Sequence, residues 1–254
     1  MKKKKIAIFD LTDCEGCELQ ILNFKEKLFD LAETVDIVNW RLAQSKNRMS
    51  DFDIALVEGA PLSEEEQNHL QEIRENSKIL VTLGACACTG GIPASINKSH
   101  RSKAVKKIYG EGYVPKAIEV KPVKNYVKVD YSIPGCPANP TEIKRVLSAL
   151  INDIEPEPIT YPVCLECKLS GNPCFIERGY PCLGPITRGG CGSICVKNGI
   201  HCWGCWGLNK FANTRAMTNT LKKMGLSTDE IKKYYEVFWQ EDQKLDRIFK
   251  KEER

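Results

Sequence analysis

Short apolar runs alternate with longer amphipathic segments through the first part of the chain. Residues 5–11 (KIAIFDL), 52–57 (FDIALV), 78–83 (KILVTL) and 127–133 (VKVDYSI) are β-rich and end in turn chemistry, which predicts four strands. Between them the apolar positions fall on helical spacing. Leu19, Leu22, Leu28 and Leu31 mark a helix over 18–32, and Ser63 with Glu66 forms a capping box for the helix that follows. Asn139, Pro140 and Glu142 read as N-cap, first position and first-turn acid of a further helix running to about Asp153. Strands that alternate with helices predict an α/β fold with an open, mostly parallel sheet.

The pattern stops at residues 155–162 (EPEPITYP), whose prolines cannot continue a helix. This predicts two domains, 1–154 and 155–254. The second is rich in Cys, Gly and Pro with little periodicity, so few regular elements stabilise it and bound metal is its expected organiser. Residues 227–254 are highly charged with Ile231, Tyr234, Tyr235, Phe238 and Trp239 interleaved, an amphipathic helical tail for the protein surface or a partner. The locally basic stretch 98–128 reads as a solvated face.

Composition removes several classes of function. The chain has 254 residues, 42% hydrophobic and 28% charged, which is globular rather than disordered. Thirty-seven basic against 33 acidic residues leave a net charge of +4, too balanced for a nucleic-acid binder. No run reaches the roughly 20 apolar residues of a membrane span. Lys2 to Lys5 are followed by only four apolar residues before Asp10, too few for an export signal. The expected compartment is therefore the reducing cytoplasm, where cysteines serve metals or catalysis more often than disulfides.

Thirteen cysteines make that inference decisive for function. Cys14 and Cys17 (DCEGCE) follow the first strand, Cys86 (GACACTGG) the third, and Cys136 (PGCP) the fourth. Parallel strands share one C-terminal edge, where open α/β sheets bind ligands, so four thiols distant in sequence are expected to converge there. Neighbouring glycines, Gly16, Gly84, Gly90, Gly91 and Gly135, allow backbone to approach a cofactor closely. Four thiolates suit a zinc ion or a [4Fe–4S] cluster, and a CxxC after a first strand also occurs in redox pairs. The remaining eight read C-x2-C-x6-C-x7-C-x8-C-x3-C-x6-C-x2-C, enough for two four-thiolate sites and unlike the bacterial ferredoxin spacing.

CxxC, GxCxxxGG and PGCP in that order resemble the small subunit of [NiFe] hydrogenases, including the cytoplasmic sulfhydrogenase delta and F420-non-reducing hydrogenase branches. The first half also resembles the 20 kDa subunit of respiratory complex I. CLGPITRGGC followed by CWGC extends the hydrogenase resemblance over about residues 5–208. It implies a flavodoxin-like sheet followed by a small loop-rich iron–sulfur domain. It also implies three [4Fe–4S] clusters: a proximal one on Cys14, Cys17, Cys86 and Cys136, a distal one on Cys164, Cys167, Cys174 and Cys182, and a medial one on Cys191, Cys195, Cys202 and Cys205. Cys88 matches no ligand of the family and is expected to be a small apolar side chain.

In periplasmic members of that family a His stands where this chain has Cys164, and a Pro near Cys195. An all-thiolate relay is expected to be more reducing, since imidazole ligation raises cluster potential. The resemblance thus implies the electron-transfer subunit of a cytoplasmic [NiFe] hydrogenase. Its partners would be a large subunit holding nickel and iron, and flavin or iron–sulfur subunits serving NAD(P) or ferredoxin. The chain alone, lacking a nickel site, is not expected to split H2. Glu15 and Glu18, beside the first motif, are expected on the exposed edge that meets the large subunit. Other readings of the same cysteines are an iron–sulfur module of a heterodisulfide reductase-linked complex and a zinc-stabilised scaffold.

Overall fold

A computed structural model describes residues 3–24, 33–95, 101–113 and 119–240. The chain divides into two compact units, Met1–Ile154 and Glu155–Arg254.

The first unit is a five-stranded, all-parallel sheet in the order β2-β1-β3-β4-β5, the flavodoxin-like order of a doubly wound fold. It runs β1 (Lys5–Asp10), α1 (Gly16–Leu22), β2 (Asp36–Trp40), β3 (Phe52–Glu58), α2 (Glu64–Glu75), β4 (Ser77–Leu83), α3 (Gly84–Thr89), α4 (Gly91–Ala94), α5 (Arg101–Tyr109), β5 (Tyr131–Ile133) and α6 (Pro140–Ile151). Alternation along the strands feeds two cores. Ile6, Ile8, Ile54, Leu56, Val81 and Leu83 pack with Ile21 of α1 and Ile143, Val146 and Leu147 of α6. Ala7, Phe9, Ala55, Val57 and Leu80 pack on the other face with Leu70 and Ile73 of α2. The Ser63–Glu66 box caps α2, and the Asn139 side chain accepts the Thr141 N–H at the start of α6.

Three expectations change. Strand β2 is absent from the sequence reading because Asp36 and Asn39, poor strand formers, interrupt its alternation. It forms at the sheet edge against β1 alone, with a register irregularity between Ile6 and Ala7. The strand predicted over 127–133 shrinks to Tyr131–Ile133, because the Asp130 carboxylate accepts the Leu80 N–H (2.9 Å) in place of a ladder carbonyl. In α1 the buried residues are Cys17, Glu18 and Ile21, while Leu19 is 46% exposed. The rest of that predicted helix, with Leu28 and Leu31, lies outside the described residues.

The second unit contains α7 (Val163–Leu169), α8 (Ile194–Lys197), α9 (Thr214–Lys223) and α10 (Thr228–Glu236), joined by turns. Ser227 and Glu230 cap α10, whose Ile231, Tyr234 and Tyr235 are buried, as are Phe238 and Trp239. The aromatic stripe therefore closes this unit's own core rather than an open surface, and residues 241–254 lie outside the description. No helix among the described residues is long and apolar enough to cross a membrane.

Candidate metal centres

Four loops leave the C-terminal ends of β1, β3, β4 and β5, and the thiols of the first unit sit among them. After β1 the chain turns through Glu15, at φ 57°, into α1, leaving Cys14 exposed and Cys17 buried. The last residue of β3, Glu58, is 2% exposed. Its carboxylate accepts the N–H groups of Cys17 (3.0 Å) and Glu18 (2.7 Å), two of the donors that a helix start leaves unpaired. Glu58 belongs to none of the sequence motifs; its one signal there is a carboxylate ending an apolar strand at the edge where the cysteine loops meet.

β4 runs directly into α3 through Gly84, which places Cys86 half-buried. Gly84 has φ +84°, and a Cβ there would stand 2.4 Å from the Cys17 sulfur. Next to it, the Ala85 N–H donates to the Gly135 carbonyl (2.7 Å), which ties the Cys86 loop to the Cys136 loop. The Ala138 N–H donates to the Cys17 sulfur at 3.4 Å. Cys86 is the thiol through which the others are coupled. Cys86 is pushed up to about 12 by burial and then by the fields of Cys136 and Cys14, and Cys17 is raised by burial, by Glu58 and also by Cys86. Such thiols ionise unfavourably until a cationic group joins them, which makes metal uptake and proton release one event.

Around this group lie acids whose charge is also disfavoured. Burial pushes Asp13 and Glu18 each up to about 7, and raises Glu58. Glu18 is not on the exposed edge as expected: it is 1% exposed and accepts the Trp40 indole N–H (2.8 Å). Glu15 is exposed and pairs with Arg41 (3.0 Å), which also binds Asp10. Cys88 is half-buried against Thr82, its sulfur 3.3 Å from the Thr82 hydroxyl, on the same short helix as Cys86.

In the second unit α7 carries Cys164 and Cys167. Cys164 is pushed up to about 12 by burial and then by the fields of Cys182, Cys167 and Cys174. Cys182 is raised by burial and senses Cys167 and Cys174, while N–H groups of Cys202 and Gly184 oppose the shift. Gly184 leaves room for sulfur: a Cβ there would lie 3.3 Å from Cys164 and 3.5 Å from Cys182.

Cys191 is pushed up to about 11 by burial and then by Glu166, with Cys195 a further contributor. Glu166 is a second acid outside the sequence motifs; it accepts the Gly190 N–H at 2.7 Å. Cys202 is raised by burial, then by Cys182 and, less, by Cys205. Cys182, Cys202 and Val163 form one buried cluster, with Cys191 packed against it. Cys191 thus senses Cys195, and Cys202 senses Cys182 and Cys205, while of the first pair Cys191 packs against the cluster that holds Cys182 and Cys202. His201 is not among the thiol contacts described; its ring meets Trp203 and Tyr234, and burial holds it below the usual imidazole range.

Among the described residues no three His, Cys, Asp or Glu side chains converge on a single metal ion. A cubane needs a wider cage, with one thiolate at each of four iron corners. Gly84, with the Cys17 sulfur where a Cβ would stand, Gly184, close beside the Cys164 and Cys182 sulfurs, and the N–H groups aimed at sulfur fit that larger group.

The NADH ubiquinone oxidoreductase 20 kDa subunit family model matches residues 14–150. The chain is 39% identical over 236 residues to the sulfhydrogenase 2 subunit delta of Pyrococcus furiosus, covering 92% of this chain and 98% of that one. It is 35% identical to a subunit of the F420-non-reducing hydrogenase vhu of Methanocaldococcus jannaschii, over 80% of this chain and 81% of the relative. Among solved structures, a chain of an NAD+-reducing [NiFe]-hydrogenase in the H2-reduced state superposes with a TM-score of 0.56 at 29% identity, covering 62% of this chain and 96% of that one.

Proposed function

The chain belongs to the NADH ubiquinone oxidoreductase 20 kDa subunit family, together with the hydrogenase subunits it matches over most of its length, and from that premise we propose that it is the electron-transfer subunit of a cytoplasmic [NiFe] hydrogenase. The observation that carries this reading is the gathering of Cys14, Cys17, Cys86 and Cys136 at the edge of a parallel sheet, tied by the Ala85–Gly135 bond and fitted around Gly84. Three [4Fe–4S] clusters are assigned: proximal on those four thiols, distal on Cys164, Cys167, Cys174 and Cys182, medial on Cys191, Cys195, Cys202 and Cys205.

Bound clusters supply one-electron steps between H2 chemistry at a nickel–iron site of a large subunit and a flavin, NAD(P) or ferredoxin-type acceptor. This chain's part is to hold the thiolates, keep water from Cys17 and Cys202, and direct N–H groups at sulfur. The sheet edge with exposed Cys14 and Cys136 is the side offered to the large subunit. Leu19 and Ile92, on helices beginning at that edge, are 46% and 49% exposed, apolar surface suited to an obligate interface of about 2,000 Å² or more. The second unit, holding the other eight thiols, is assigned to the acceptor side.

Affinity purification of the full chain under anaerobic conditions tests this. A nickel-containing large subunit is expected to co-purify, and H2-dependent dye reduction to reside in the complex and not in the chain alone. A chain that brings down iron–sulfur partners but no nickel protein would instead place it in another redox complex.

A further inference from the structure

Helices α9 and α10 supply no cysteine, yet α10 reaches the buried Cys202. Its N–H donates to the Cys182 sulfur (3.4 Å), and its carbonyl accepts the Leu183 N–H (2.9 Å) and the Tyr234 hydroxyl (2.9 Å). The same hydroxyl has the Pro181 carbonyl 3.4 Å away, so one phenol touches the segment before Cys182 and the residue that bonds its sulfur. Just beyond, the Trp239 indole N–H donates to the Gly204 carbonyl (2.7 Å), so the helix end holds the following residues of the same loop. Tyr234 is buried, with its ring edge-on to Trp203 at 4.8 Å.

We propose that Tyr234 is a positioning residue for electron transfer within the second unit: its hydroxyl fixes the Cys202 peptide so that a ligand of one cluster hydrogen-bonds the sulfur of a ligand of the next. The inference rests on the assignment of Cys182 and Cys202 to separate clusters. Clusters held by Cys202 and by Cys182 would exchange one electron, the one reduced as the other is oxidised, with no bond made or broken. The shortest bonded route between the two sulfurs is the side chain and amide of Cys202 followed by its hydrogen bond. That bond also favours the more negative, reduced state of the Cys182 centre, because hydrogen bonds to cluster sulfurs raise potential. A carbonyl anchored on its other side by Tyr234 and Leu183 keeps the N–H in line.

The test uses the assembled complex, purified anaerobically. Tyr234→Phe keeps the ring and removes the donor. It is expected to retain full iron, to lower the midpoint potential of the Cys182 centre in an EPR-monitored titration, and to weaken the magnetic interaction between the two reduced centres. Tyr235→Phe serves as the control, since that phenol meets Thr218 (3.2 Å), and is expected to leave both readouts unchanged. Site-specific 3-fluorotyrosine at position 234 keeps fold and ring while strengthening the donor. It is expected to shift the potential upward, and decides the matter if the Phe variant does not fold. Unaltered potential and spectrum with the fluorinated residue, or in a folded Phe variant that merely melts earlier, would overturn the inference while leaving the functional reading intact. Absence of iron from the second unit of the unaltered complex would overturn both.

Discussion

Gly84→Ala is expected to empty the first unit's cluster while leaving the second unit loaded. The added Cβ would stand 2.4 Å from the Cys17 sulfur, a distance no carbon and sulfur tolerate, and the residue would have to hold φ +84°. Holding a non-glycine residue in such backbone costs about 1–3 kcal/mol before the collision is counted. Relief comes only by moving Cys17 or by swinging the β4–α3 turn that carries Cys86, and either movement breaks the four-thiol set. Iron and sulfide per chain should fall by about one third, the content of one cubane in three. Unfolding of the first unit should shift to lower temperature. Full iron in the Gly84→Ala protein would show that Cys17 is not a ligand in the place assigned to it.

Glu58→Ala should cost the first unit a large share of its stability. Both carboxylate oxygens accept buried backbone donors, from Cys17 at 3.0 Å and Glu18 at 2.7 Å, in a site too buried for solvent to compensate. An orphaned buried donor costs about 1–3 kcal/mol, so losing both acceptors amounts to about 2–6 kcal/mol. Set against a total stability of about 5–15 kcal/mol, that is a large fraction. Glu58→Gln retains one carbonyl acceptor and is expected to lose about half as much, by the same per-bond cost. Anaerobic denaturant titration of the full chain measures this through the first unit's transition. Equal stabilities for the Ala and Glu proteins would mean that the α1 turn is held by other bonds.

The sheet was legible where apolar runs ended in turns, as at β1, β3 and β4, because a strand buried on both faces carries a near-continuous hydrophobic signature. β2 was hidden by Asp36 and Asn39, and the start of β5 by the Asp130 side chain acting as a backbone substitute. The same division runs through the candidate site. The candidate thiols stood out because cysteines at such spacings point to metal binding. Their supports did not. Glu58 acts on backbone N–H groups far away in sequence, Tyr234 and Trp239 act on backbone carbonyls, and none of these pairings leaves a residue-type pattern. Glu18 illustrates the converse: a charge next to a motif reads as surface, yet its burial against Trp40 depends on a strand the sequence concealed.

The most direct test of the whole account is the metal content of the full chain isolated anaerobically in its native complex. For this subunit, three cubanes predict about twelve iron and twelve acid-labile sulfide, four of each per cluster, with no zinc. Stoichiometric zinc with little iron, or about eight iron with sulfide to match, would contradict the assignment of Cys14 through Cys205 to three four-thiolate clusters.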